Sequence, residues 1–249
     1  MMRYLLVMLS IVLLSCDADK GLNCFQTAGA IITEEVTVAS FDRIVVFERT
    51  QLFIEQGAAY KVVIETGENL LNDIKVSVSD GLLTIMNMNG CNLVRDYGLT
   101  KVYGTTPTLS EVRSSTGLAI KSVGTLSFPS LTLLSEDIQE EDAFHTDGDF
   151  ELDINVAVLR IETSGLSDFR LTGVATVADY NLLGSHTFID AGNVISQDVT
   201  FFQRSSNHLI VHPIQSLTGD IVNSGNVYAN NQPPIVEVTE QYTGRLIFQ

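Results

Sequence analysis

Short runs of alternating apolar and polar residues recur through the second half of this chain at a step of roughly 20 residues, and no segment carries the 3.6-residue period of an amphipathic helix. Leu159-Arg160-Ile161 leads through Ser164-Gly165 to Phe169-Arg170-Leu171. Val177 to Tyr180 leads through Gly184-Ser185 to Phe188-Ile189, and Val199 to Phe202 leads through Ser206-Asn207 to Ile210-Val211. Ile221-Val222 then leads through Ser224-Gly225-Asn226 to Val227-Tyr228. The turns thus fall at positions 165, 184, 206 and 225, a period near 20 whose irregularity implies loops of varying length on one side. Looser copies surround Ser115-Thr116-Gly117 and Asp147-Gly148. Such a repeat cannot bury its apolar face alone, but stacked copies share one core, which predicts a β-solenoid. A β-sandwich, with turns every 8–12 residues or so, accommodates two strands per repeat as well. The recurring turn chemistry favours the solenoid. The lack of helical pattern excludes most α/β enzyme folds.

Period-two patterning also fills the first half: Ile31 to Val38, Ile44 to Phe47, Leu52 to Ile54, Tyr60 to Glu65, Ile74 to Val78 and Leu82 to Met86. Asp80-Gly81 between the last two predicts a tight hairpin, because both turn residues tolerate positive φ. Glu68 to Asn72 carries the one hint of a helical turn.

The N-terminus has the layout of an export signal. Arg3 precedes an apolar run from Tyr4 to Leu14, too short for a stable bilayer span, and Leu13-Leu14-Ser15-Cys16 has the form of a bacterial lipobox. The expectation is cleavage before Cys16, lipidation of its sulfur, a polar tether over 16–21 and a single β domain over 22–249. Without residues 1–15 the net charge would be −17. That acidity excludes nucleic-acid binding and holds the domain off anionic headgroups. Cys24 and Cys91 then remain as an even pair in an oxidising compartment, either bridged or free; a bridge would stabilise by roughly 4 kcal/mol. Their spacing, without neighbouring histidines, makes a poor zinc site.

The sharpest candidate for chemistry is the acidic row Asp147, Asp149, Glu151 and Asp153, interleaved with Phe150, Leu152 and Ile154. On a strand these carboxylates share one face, a candidate cation or ligand face, although alternate residues lie nearly 7 Å apart, too far for one ion without loop ligands. A plain solvent face is the expected reading, as it is for Glu136, Asp137, Glu140, Glu141 and Asp142. His145, His186, His208 and His212 are expected on the surface, and no metal or cofactor is expected. Arg160 and Arg170 are the basic residues nearest the acidic row. Trp is absent, leaving Tyr97, Tyr103, Tyr180, Tyr228 and Tyr242 as sugar-stacking rings.

Cys24-Phe25-Gln26-Thr27-Ala28-Gly29, Phe41-Asp42-Arg43-Ile44, Gly67-Glu68-Asn69-Leu70-Leu71, Asp80-Gly81-Leu82-Leu83 and Asn89-Gly90-Cys91-Asn92-Leu93-Val94-Arg95 follow one another in an order that resembles the head GIN domain family of autotransporter-adhesin lipoproteins. Ser164 to Asp168 and Gly219-Asp220-Ile221 are similar to that family's Ser-Gly-rich repeat. The likeness covers about residues 22 to 235. It implies a right-handed parallel β-helix of pectin-lyase-like architecture and supports pairing Cys24 with Cys91; Ser206-Asn207 departs from the Ser-Gly turn. The expected function is a non-enzymatic, adhesin-like lipoprotein of a Gram-negative envelope, anchored in the outer membrane and contacting a glycan or a cell-surface protein. A polysaccharide hydrolase or lyase on the same architecture, and a purely structural envelope protein, are the alternatives.

Overall fold

The computed structural model describes residues 25–93, 95–138, 143–184 and 186–249. The leader, Cys16, the tether and Cys24 therefore lie outside the described residues, as do Glu140, Glu141, Asp142 and Ser185. From Gln26 onward the regular structure of the described chain is β apart from a 3-10 turn at Leu71–Asp73, where the helical hint lay. Its strands are β1 (Ile31–Val36), β2 (Arg43–Phe47), β3 (Thr50–Gln56), β4 (Lys61–Gly67), β5 (Ile74–Ser79), β6 (Leu82–Asn87), β7 (Thr100–Thr106), β8 (Glu111–Ser115) and β9 (Ile120–Leu126). They continue as β10 (Ser130–Ser135), β11 (Phe150–Thr163), β12 (Asp168–Leu182), β13 (Phe188–Gln203), β14 (Leu209–Ile221), β15 (Val227–Ala229), β16 (Ile235–Glu240) and β17 (Leu246–Phe248).

Two ladders run the length of the molecule and share the long strands β11 to β14. The first runs β1·β4·β7·β3·β9, then through the first halves of β11 to β14, and on to β15 and β17. The second runs β5·β6·β2·β8·β10, then through the second halves of the same strands to β16. Register partners in the first ladder place Leu52, Ile120, Phe150, Phe169, Ile189, Leu209, Val227 and Leu246 in one column. From Phe150 onward that column advances by one repeat at every rung. The second ladder stacks Leu83, Ile44, Val112, Leu133, Ile161, Tyr180 and Phe201 in the same way. Both columns feed one core cluster, so alternate residues point inward along every rung. Where Phe201 meets the next rung, its partner is Gly219, whose missing side chain leaves room for the ring.

Close approach between neighbouring turns explains why glycine recurs there. A Cβ on Gly184 would sit 1.7 Å from the Ser164 carbonyl oxygen, so the backbone of one turn rests on that of the turn before it. At Ser206-Asn207 the glycine is absent and the amide takes over: Asn207 Nδ2 donates to the His186 carbonyl, and its backbone N–H donates to Ser205 Oγ. Behind the turns the buried hydroxyls pair with one another, Ser135 with Ser167 and Thr163 with Thr187, while Ser205 Oγ donates to the Thr187 carbonyl. Each such bond contributes about 1 kcal/mol and leaves no buried hydroxyl orphaned there. Tyr180, 1% exposed, pairs with Ser196 instead, and burial pushes its phenol well above the ordinary tyrosine range.

The sheet is mixed, not wholly parallel as the expected β-helix requires. β1–β4, β4–β7 and β5–β6 are antiparallel. The two-residue turn Asp80-Gly81, with both φ values positive (50° and 76°), can close only an antiparallel pair. Sequence order and spatial order also part company: β2 lies between β6 and β8. These antiparallel strands cover one open end of the ladders, which would otherwise present unpaired backbone groups. The parallel pairing of β10 to β14 departs from the antiparallel sheets of a β-sandwich.

Candidate functional site

The acidic row does not behave as one face for a cation. Only Glu151 and Asp153 lie on β11; Asp147 and Asp149 precede it. Phe150, Leu152 and Ile154 are buried as the alternation requires. Each carboxylate on the wall is met by the neighbouring rung. Asp149 Oδ1 accepts the Asp168 backbone N–H at 3.0 Å, and Oδ2 lies 3.5 Å from Arg170. Glu151 pairs with Lys121 at 2.6 Å. Asp153 accepts from Thr125 Oγ1 at 2.5 Å and from Thr172 Oγ1 at 3.4 Å. The row therefore stitches rungs together, with exposed pairs contributing a few tenths of a kcal/mol each. No group of three or more His, Cys, Asp or Glu able to hold a metal occurs among the described residues. Arg160 likewise bonds Glu162 and approaches Asp179.

Asp147 goes elsewhere. It lines a cleft of about 340 Å³ with Glu48, Arg49, Gly90, Asn92, Tyr97, Gly117 and His145. Four segments bring these residues together: the β2–β3 turn, the β6–β7 loop, the turn after β8 and the approach to β11. Arg49 sits at φ +64°, the left-handed geometry that a two-residue turn between β2 and β3 imposes. His145 Nε2 lies 2.9 Å from Glu48 Oε1, and its backbone N–H donates to Ser115 Oγ at 2.9 Å. Gly117 keeps the floor open, for a Cβ there would lie 3.3 Å from Asp147 Oδ2 and 3.7 Å from the Tyr97 hydroxyl.

Adjoining the cleft through the shared residues Arg49, Asn92 and Tyr97 is a smaller pocket, with about 30 Å³ of room, also lined by Leu70, Asn87, Asn89, Arg95 and the segment from Asp96 to Thr100. Arg49 Nη2 donates to the Asn87 carbonyl at 3.1 Å, and Asn87 Nδ2 donates back to the Arg49 carbonyl at 3.3 Å. Asn89 Nδ2 donates to Asn87 Oδ1 and to the Leu70 carbonyl. Arg49 Nε and Asn89 Oδ1 are buried without a partner. Arg95 Nη1 donates to the Gln26 carbonyl at 3.0 Å. Burial first, and the charge of Arg49 second, push the Arg95 guanidinium below its ordinary value, against an opposing pull from Asp73. The two guanidinium groups thus line one pocket, where Asp73 offsets part of their repulsion.

The sequence singled out Asp147, His145 and Tyr97, each on separate grounds, but neither Glu48 nor Arg49. Glu48 and Arg49 sit in an ordinary-looking turn, and Asn89 and Arg95 stand out only as polar residues in a Gly-Asn-rich stretch. Two other histidines are held at the surface: His208 packs edge-on to Tyr228, and His212 Nδ1 lies 3.3 Å from the Gly192 carbonyl. Cys16 and Cys24 lie outside the described residues; Cys91 precedes Asn92 at the cleft rim.

A family model described as "putative auto-transporter adhesin, head GIN domain" matches residues 40–233. Among solved structures, a putative adhesin from Bacteroides fragilis shares 18% identity at a TM-score of 0.80, with 90% of this chain and 100% of that one covered. One from Parabacteroides merdae shares 18% at a TM-score of 0.64, covering 88% and 97%. A protein of Parabacteroides distasonis described as a putative lipid binding protein shares 16% at 0.60, again covering 88% and 97%. At these identities the likeness is one of fold. No curated protein matches the chain.

Proposed function

This chain belongs to the head GIN domain family of auto-transporter adhesins, and from that premise we propose that it is an envelope-anchored lipoprotein whose rigid β wall presents a ligand-binding cleft to glycans or surface proteins. The stacked rungs are read as coils of a right-handed β-helix, which the family resemblance and the regular register steps from β11 to β17 support. The single β domain is taken to run over 22–249 behind a leader (1–15) and tether (16–21). Among the described residues no helix is long and apolar enough to cross a membrane. Lipid on Cys16 would supply the anchor, in the outer membrane of a Gram-negative cell. Cys24 is assigned to a bridge with Cys91, a pairing favoured by the contacts of Gln26 with Asn69 and Arg95 close by. The mass of the mature protein reads both assignments at once. A diacylglyceryl adduct on Cys16 as first residue, with one disulfide, is expected; an unmodified Cys16 refutes the anchor, and two alkylatable thiols at Cys24 and Cys91 refute the bridge.

One observation carries the reading. The wall's carboxylates are satisfied from within by neighbouring rungs, whereas the cleft keeps buried polar atoms without partners. Binding energy is therefore available at the cleft and not along the wall. A second reading has its own observation, since Glu48, Asp147 and Arg49 meet in one cleft, and two carboxyl groups about a sugar are the apparatus of a glycoside hydrolase. Glycan-array binding by the full chain, with reducing ends assayed on every glycan bound, separates them. Binding without new reducing ends is expected. Sugar release from any bound glycan would overturn the adhesin reading in favour of the hydrolase.

A further inference from the structure

We infer that the cleft and the pocket adjoining it form a receptor site for an N-acetylated amino sugar, with the acetamido group held between Arg49 Nε and Asn89 Oδ1 and the sugar ring against Tyr97. The inference rests on the surface-binding reading above and names the ligand class for that same site.

Two buried atoms without partners define the ligand's polar group. Asn89 is 4% exposed, and its side-chain nitrogen donates to Asn87 Oδ1 and to the Leu70 carbonyl. A backbone carbonyl can only accept, so the amide cannot be turned over, and its oxygen is left as a buried acceptor. Arg49 Nε is a buried donor. Asn87 holds both residues in place: its carbonyl accepts from Arg49 Nη2, and its side-chain oxygen accepts from Asn89. Leu70 and Leu99 line the same pocket and give it an apolar wall. A donor, an acceptor and an apolar wall together match an acetamido group. Its carbonyl accepts from Arg49, its N–H donates to Asn89, and its methyl packs on the leucines.

The charges around the site call for a neutral ligand. Glu48 and Asp147 line the cleft and repel an anion, whereas an ammonium brings no acceptor for Arg49 and is repelled by it. The pocket's 30 Å³ gives room for about two waters, enough for the end of an acetyl group and too little for a ring, so the pyranose stays in the cleft. There Glu48, Asn92 and Asp147 offer acceptors for its hydroxyls, with Glu48 already steadied by His145. Tyr97, 57% exposed, offers a ring face to the C–H side of the sugar. A peptide carries the same amide group, but it brings no ring hydroxyls for those acceptors.

Calorimetric titration of the full chain with N-acetylglucosamine, glucosamine, glucose, glucuronate and N-acetylglycinamide tests this. N-acetylglucosamine is expected to bind roughly 10-fold more tightly than any of the others, because each of them either leaves a buried polar atom unpaired or lacks the ring. Arg49→Lys keeps a donor for the Asn87 carbonyl but has no Nε, and should lower the affinity for N-acetylglucosamine roughly 10-fold, to that for glucose. Tyr97→Ala provides a second route outside that hydrogen-bonded network: it removes an exposed ring, and should weaken N-acetylglucosamine about 5-fold with the melting temperature preserved. Arg204→Met, at an exposed site outside the cleft, should change nothing. No binding of N-acetylglucosamine, equal affinity for it and glucose, preference for N-acetylglycinamide, or binding untouched by both cleft substitutions would overturn the assignment. Array binding confined to glycans without an acetamido group would sink the acetamido site while leaving the surface-binding reading intact; no binding to any glycan or surface protein would sink both.

Discussion

Gly173→Ala is expected to destabilise the fold by about 4 kcal/mol, one of the largest losses a single methyl can inflict on this chain. Gly173 sits within β12 at φ +115°, a backbone geometry that L side chains rarely adopt, and its ladder partner is Ile154. A Cβ built there falls 1.9 Å from the Ile154 carbonyl oxygen. Neither atom is the tip of a flexible side chain, so two rungs have to separate. Backbone strain contributes about 1–3 kcal/mol and the forced displacement a similar amount. Gly124 provides the contrast: its φ is also positive, +74°, but a Cβ there meets nothing within 4 Å. Gly124→Ala should therefore show only the left-handed penalty, about 1 kcal/mol. Urea unfolding of the two variants reads the difference, and equal midpoints would show that close rung contact at Gly173 is not what demands glycine.

Phe150→Ala and Phe169→Ala should each destabilise by about 3–5 kcal/mol. Both rings are fully buried, and they are register partners one rung apart, with centroids 4.7 Å apart and planes 7° from parallel. Ile120 is the register partner on one side of the pair and Ile189 on the other, so each ring is flanked along the column by another buried apolar residue. A void left there keeps its walls apart, and the loss should approach the upper end of the range. A loss below about 1.5 kcal/mol in either variant, measured by urea unfolding, would show that the column is not packed as described.

Much of this arrangement can be read directly from the residues. The alternation Phe150, Leu152, Ile154 and the recurrence at 165, 184, 206 and 225 follow from a rung that cannot bury its face alone, so local pattern and global packing agree. Asp80-Gly81 announces its hairpin because the turn needs positive φ twice. What pattern does not encode is which strands neighbour which. Ile44, Leu83 and Val112 announce that β2, β6 and β8 each face the core, but nothing in those residues says that β2 lies between the other two. The fate of the acidic row escapes for a related reason: partners such as Lys121 and Thr125 belong to the preceding rung, β9, so no window of sequence shows that Glu151 and Asp153 are already satisfied. The cleft is harder still, since Glu48, Asn92 and Asp147 come from three distant turns.

The position of the cleft at the turns, like the packing of the core, depends on successive repeats lying directly upon one another. The double-mutant cycle between Phe150→Ala and Phe169→Ala, residues one repeat apart in sequence, tests that stacking most directly. Stacked rungs predict a favourable coupling of about 0.5–1.5 kcal/mol, the value of a stacked buried aromatic pair beyond its area. Strict additivity of the two losses would mean that the rings do not meet, and would contradict the stacked arrangement.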